Sequence, residues 1–112
     1  MMHKRYVTEM GMGTDVHGRD YTLAAERAIF DAIHHSSLNF FQHLDKNPED
    51  MIIELMIGVP EPDQVNKNKL VEALPYGTVQ VKVIRGGLEI PSDEGDDSIV
   101  IANAGIIVRL DD

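Results

Sequence analysis

From Tyr6 to Met12 the chain alternates, with Tyr6, Thr8, Met10 and Met12 on one side and Val7, Glu9 and Gly11 on the other. This is the period of a short strand. After Gly18 the period changes. Between Tyr21 and about Phe41, the residues Leu23, Ala24, Ala25, Ala28, Ile29, Ala32 and Ile33 form a broad apolar band at helical spacing, among several good helix formers. Asp20 or Thr22 can cap that helix, although neither has Glu or Gln three residues on to close a capping box. A polar connection, residues 45–50, leads to Met51–Val59, nearly all apolar and closed by Pro60, which predicts a central strand buried on most of both faces. Asp63 is placed to cap a shorter helix outlined by Val65, Leu70, Val71 and Leu74 and ended by Pro75. Thr78 to Arg85 sets Val79, Val81 and Val83 against Gln80 and Lys82, the clearest period-two pattern in the chain. Leu88-Glu89-Ile90 reads as a short strand, Pro91 to Asp97 as a mobile acidic loop, and Ser98 to Leu110 as β-rich. The Asn103-Ala104-Gly105 interruption favours a hairpin there over one longer bulged strand.

This order predicts an α+β fold, a two-layer sandwich with one mixed sheet of about four to five strands and two helices on one face. At 112 residues the chain suits a single domain, 1–112, with no internal repeat. The face away from the helices is expected to hold Glu9, Glu54, Gln80 and Lys82 beside Ile52, Met56 and Ile84. Such a surface is too apolar for free solvent and too charged for a dry core, so a homo-oligomer is expected.

Lys and Arg number 10 against 19 Asp and Glu, a formal net charge of −9. That balance argues against nucleic-acid and anionic-membrane partners. Without cysteine there are no disulfides, thiolate metal sites or cysteine nucleophiles, which leaves His, Asp and Glu as the strong metal ligands. The basic opening Met1 to Arg5 is followed by Tyr6-Val7-Thr8-Glu9 and not by an apolar signal core. No run approaches the ~18 apolar residues of a membrane span. A soluble cytoplasmic protein is expected.

Unusual chemistry concentrates in Gly11-Met12-Gly13-Thr14-Asp15-Val16-His17-Gly18-Arg19-Asp20, where three glycines, an imidazole, a guanidinium and two carboxylates share one stretch. The spacing lacks the Gly-x-Gly-x-x-Gly of a dinucleotide turn and the Gly-Lys-Ser/Thr of a P-loop. An anion at the helix start would meet backbone amides, Thr14 and Arg19, but Asp15 and Asp20 oppose it. His17 is a candidate acid/base, Asp15 its orienting partner, and Arg27 or Arg19 a holder of an anionic group. Gly11, Gly13, Thr14, Gly18, Arg19 and Asp20 are the candidate ligand-binding residues. Asp15 and His17 together suit a divalent metal ion such as zinc, manganese or iron. Against this stands a plainer reading in which the Asp and His side chains brace the helix start.

The Gly-x-Gly-x-Asp-x-His-Gly spacing resembles the signature of a small conserved hypothetical family of bacteria and plants named after a lin-series reading frame. The resemblance runs along the chain, through Asp20-Tyr21-Thr22, Arg27 to Ile33, His35 to Leu38, Gly86-Gly87 and Ala102-Asn103-Ala104. It implies a site at the motif but no particular reaction.

Arg27, Asp31, His34 and His35 form one polar helix stripe, read as a solvated face with an Arg27–Asp31 pair or, alternatively, as an Asp31–His35 pair orienting an imidazole. At ~1.5 Å rise per residue, His35 lies roughly 20 Å from the helix start, so it joins the motif only from a neighbouring subunit. Two functions follow. The first is a small-molecule enzyme or metal-assisted catalyst at the motif, and the second a non-catalytic oligomeric binding or assembly protein in which the motif is structural.

Overall fold

One five-stranded sheet carries two helices on one face. A computed structural model describes residues 3–34, 50–74 and 77–111. The elements are β1 (His3–Asp15), α1 (Tyr21–His34), β2 (Ile52–Val59), a 3-10 turn (Pro62–Gln64), α2 (Lys67–Glu72), β3 (Thr78–Arg85), β4 (Leu88–Pro91) and β5 (Ser98–Asp111). The spatial order is β1-β5-β2-β3, with β4 also pairing β5. β5 runs antiparallel to β1, β2 and β4, and β2 pairs β3 in parallel through the α2 crossover. The predicted α+β sandwich is therefore the observed one. The extension of the first helix toward Phe41 lies outside the described residues.

The predicted hairpin at Asn103-Ala104-Gly105 does not form. β5 is one strand, and its register is unbroken on both sides of this stretch: Gly11 faces Ala104 on β1 and Ile57 faces it on β2. The small residues that read as a turn have another cause. Ala102 and Ala104 lie opposite Gly13 and Gly11, and this small-residue floor lets α1 approach through its fully buried Ala24, Ala28 and Ala32. A Cβ on Gly11 would overlap the backbone of Ala28 and Ala32, and one on Gly13 that of Ala24 and Ala28.

The core lies between this floor and the helices. It contains Ile53, Leu55, Ile57 and Val59 of β2, Val100, Ile106, Val108 and Leu110 of β5, Ile29 of α1 and Leu70 of α2. Because both helices cover the same face, β2 is buried on one side only, and Met56 on its other side is exposed. Asn66, not Asp63, caps α2, its Oδ1 accepting from the Asn68 and Lys69 amides at 3.1 and 3.4 Å. Asp63 lies in the 3-10 turn. The Asn66 amide donates to Thr22 Oγ1 at 2.9 Å, tying α2 to the first turn of α1.

On the open face the strand pairings align Met10, Gly105, Met56 and Lys82 in one row, and Met12, Asn103, Gly58 and Ile84 in the next. Leu88 and Ile90 of β4 continue it beside Ile101 and Ile99. Glu9 does not belong to it. It pairs with buried Ile106 and so stands on the helix side, while Met10 takes the outward position. Among the described residues no helix is long and apolar enough to cross a membrane.

Candidate functional site

The motif is not one loop. Gly11, Gly13, Thr14 and Asp15 belong to β1, and the turn proper is residues 16–20. The chain reverses there through Gly18 at φ 93° and Arg19 at φ 52°, both in the left-handed region. Arg19 is held in this conformation from outside, with Nε donating to Ser98 Oγ at 3.2 Å and Nη2 to the Gly95 carbonyl at 3.1 Å. Glu89 lies 3.9 Å from its Nε.

Asp15 is buried and accepts the Asp20 amide at 2.8 Å. Asp20 in turn accepts the Leu23 amide at 2.9 Å through Oδ1, which makes it the N-cap of α1. Arg27 Nη1 donates to the Thr14 carbonyl at 2.7 Å and lies 3.9 Å from Asp15. Asp31 Oδ2 accepts the Met12 amide at 2.9 Å. Arg27 and Asp31 of the helix stripe thus reach the outer edge of β1, where they occupy backbone groups that an edge strand otherwise leaves open, while Arg27 and His34 stay exposed to solvent. Asp31 does this within its own chain, and His35 lies outside the described residues.

His17 turns away from Asp15. Its Nδ1 stands 3.4 Å from Asp97 Oδ2, and its side chain is 87% exposed. Asp97 also accepts the Gly18 amide at 3.0 Å and the Ser98 amide at 2.8 Å. The Ser98 amide first, and then Gly18, hold its carboxyl below the usual range. The loop expected to be mobile is closed by its own hydrogen bonds. Ser92 N donates to the Asp97 carbonyl, Gly95 N to the Ser92 carbonyl, and Ser92 Oγ to Asp96 Oδ1, each at 2.9 Å. Between this loop and the turn lies an open cavity of about 470 Å³, with His17, Asp96 and Asp97 on its polar side and Val16, Ile90 and Ile99 on its apolar side. Behind it Tyr21 donates to Glu89 Oε1 at 2.7 Å, and burial, with that hydrogen bond, pushes the phenol up to about 12.

The structure brings together Asp15, Asp20 and Arg27, and separately His17 with Asp97. Asp15 and His17 do not converge on one ion, and among the described residues no group of three His, Asp or Glu side chains is placed to hold a metal. Sequence reasoning missed Asp97, Glu89 and Ser98. Nothing local couples residue 17 to a carboxylate 80 positions away.

The sequence pattern of a conserved hypothetical protein family, Lin0512_fam, matches residues 5–108. The chain belongs to this family. The family's description names no activity. The crystal structure of an FtsZ-like protein of unknown function from Nostoc punctiforme is similar over 100% of this chain and 99% of that one, with a TM-score of 0.85 and 35% identity. No functionally curated protein matches the chain.

Proposed function

We propose that this member of the family acts as a homo-oligomer whose copies meet through the open sheet face, and that most of the motif at residues 11–20 locks the fold. One observation carries this reading. Seven large apolar side chains, Met10, Met12, Met56, Ile84, Leu88, Ile90 and Ile99, are exposed on the strands, and the strand pairings put them all on that face. Covering a few hundred Å² of apolar surface at ~25 cal/mol/Å² contributes several kcal/mol per copy before the entropy of association and the desolvation of charge are deducted. Light scattering at about 10 µM should give the mass of an oligomer, with a melting temperature that rises with concentration. Met56→Asp or Ile84→Asp should give a folded monomer. A monomeric unmodified protein at that concentration overturns the reading.

A second reading concerns the cavity beside His17, and a specific observation favours it. Ile90 and Ile99 belong both to the open face and to the cavity wall. A docked copy would therefore narrow the opening and shield His17 from water. In this reading a small molecule binds there, Asp97 orients the imidazole through Nδ1, and His17 exchanges a proton with the ligand through its other nitrogen. Melting scans with a panel of metabolites and divalent ions should then show a shift that His17→Ala removes. A shift that persists in His17→Ala places the ligand elsewhere, and no shift with any member of the panel counts against a ligand site.

A further inference from the structure

Gly105 lies in the middle of the central strand, yet nothing among the described residues requires glycine there. Its φ is not in the left-handed region. A Cβ built on it would meet nothing nearer than the Met56 carbonyl oxygen at 4.0 Å. Gly11 and Gly13 differ, since each is occupied by α1. A glycine inside a strand loses side-chain packing and costs backbone entropy, and it commonly marks where a ligand or another backbone comes close. Among the described residues nothing approaches Gly105.

The space over it is a shallow slot of about 270 Å³ on the open face, floored by Gly58, Asn103 and Gly105 and walled by Met10, Met56 and Ile84. Met56, 41% exposed, is the direct strand partner of Gly105 on β2. A two-fold axis running along the β5–β2 seam exchanges those two positions, as a self-complementary interface requires, and stacks all four strands of the path β1-β5-β2-β3. Resting on the association proposed above, we infer that the occupant of the slot is a second copy of this chain, each Met56 seated over the partner's glycine at position 105.

Size and charge both fit a second copy. Four strands at ~4.8 Å spacing and eight residues at ~3.3 Å rise present roughly 500 Å² per copy, so a pair buries about 1,000 Å², the lower bound for a specific interface. The chain carries −9 overall. Across the four rows from Met12 to Arg5, however, the face holds one carboxylate, Glu54, paired with Arg109 at 2.9 Å. The self-repulsion of an acidic protein is therefore small across these rows. One end row reads Arg5, Arg109, Ile52 and Thr78, and the same axis sets its two cations against positions 78 and 52 of the other copy, so no two cations face each other.

The test is Gly105→Val, read by light scattering and thermal melting beside the unmodified protein. Valine suits a central strand and has room in the isolated chain, so the variant monomer should melt no lower than the unmodified monomer when both are compared at dilution. It fills the slot, and the dissociation constant should rise roughly thirtyfold or more, the scale of an interface hot spot. Met56→Ala, at an exposed position, should weaken association without unfolding the chain, so the inference stays testable if the valine variant folds poorly. The effects of Gly105→Val and Met56→Ala should also be non-additive in the double variant, because both act on one contact. An oligomer that survives both single changes overturns the slot and leaves the association standing. A monomeric unmodified protein overturns both.

Discussion

At the level of single residues, side chains from one motif do different work. Asp15 is buried with one backbone donor and a nearby guanidinium, whereas His17 is exposed and touches only Asp97 among the contacts described. Asp15→Ala leaves the Asp20 amide without its acceptor in a part-buried setting, a loss of about 1–3 kcal/mol. For a chain of this size that is a fall of several degrees or more in melting temperature. His17→Ala should stay within about 0.5 kcal/mol. Denaturant unfolding of the two variants checks the contrast, and equal losses would show that His17 also braces the fold. Sequence alone put both residues in one candidate site because they are two positions apart. In an extended strand leading into a turn, that separation does not make two side chains share a target.

At the level of elements, the decisive contact is α1 on β1 and β5. The helix has Ala24, Ala28 and Ala32 at intervals of four on its inner side, and β1 has Gly11 and Gly13 at an interval of two. Both periods were legible, and together they specify a close helix–sheet approach. Sequence alone instead places both glycines among the ligand-binding residues, because glycine permits close approach by a ligand as readily as by a helix. Gly13→Ala should cost at least the ~1–3 kcal/mol typical of overpacking, since its Cβ would meet helix backbone and not a side chain that can rotate away. Chemical denaturation would show this as a lower midpoint. A neutral result would mean that α1 sits farther from the sheet in solution. β5 carries a related lesson. Asn103-Ala104-Gly105 resembles a hairpin turn locally, but hydrogen-bonded neighbours on both sides hold it extended.

At the level of the whole molecule, covering only one sheet face leaves a second surface on which large apolar side chains stand exposed among a few charged ones. The alternation in β3 and the apolar run of β2 already pointed to that surface, and β4 enlarges it with Leu88 and Ile90. If copies associate as proposed, the cavity beside His17 becomes a feature of the assembly, because two of its walls lie on the face that closes. Stability and ligand affinity should then vary together with protein concentration. In the melting scans described above, any ligand shift should be smaller for Met56→Asp than for the unmodified protein, and an unchanged shift would show that the cavity works within one chain.

The amino-acid sequence by itself determined most of the elements, their class and the sheet-with-helices architecture, because each rests on a short-range period that the backbone imposes: two for strands, about 3.6 for helices. It also determined that one face would be awkward to leave in water. Only the tertiary structure decided what each motif residue is for. The partners of His17, Arg19 and Tyr21 are Asp97, Ser98 and Glu89, all more than sixty positions away, brought near by the antiparallel return of β5 beside β1 and of β4 beside β5. Long-range pairing of this kind leaves no local pattern in the chain. A hydrogen bond depends on where two segments meet, and that is set by the packing of the whole sheet.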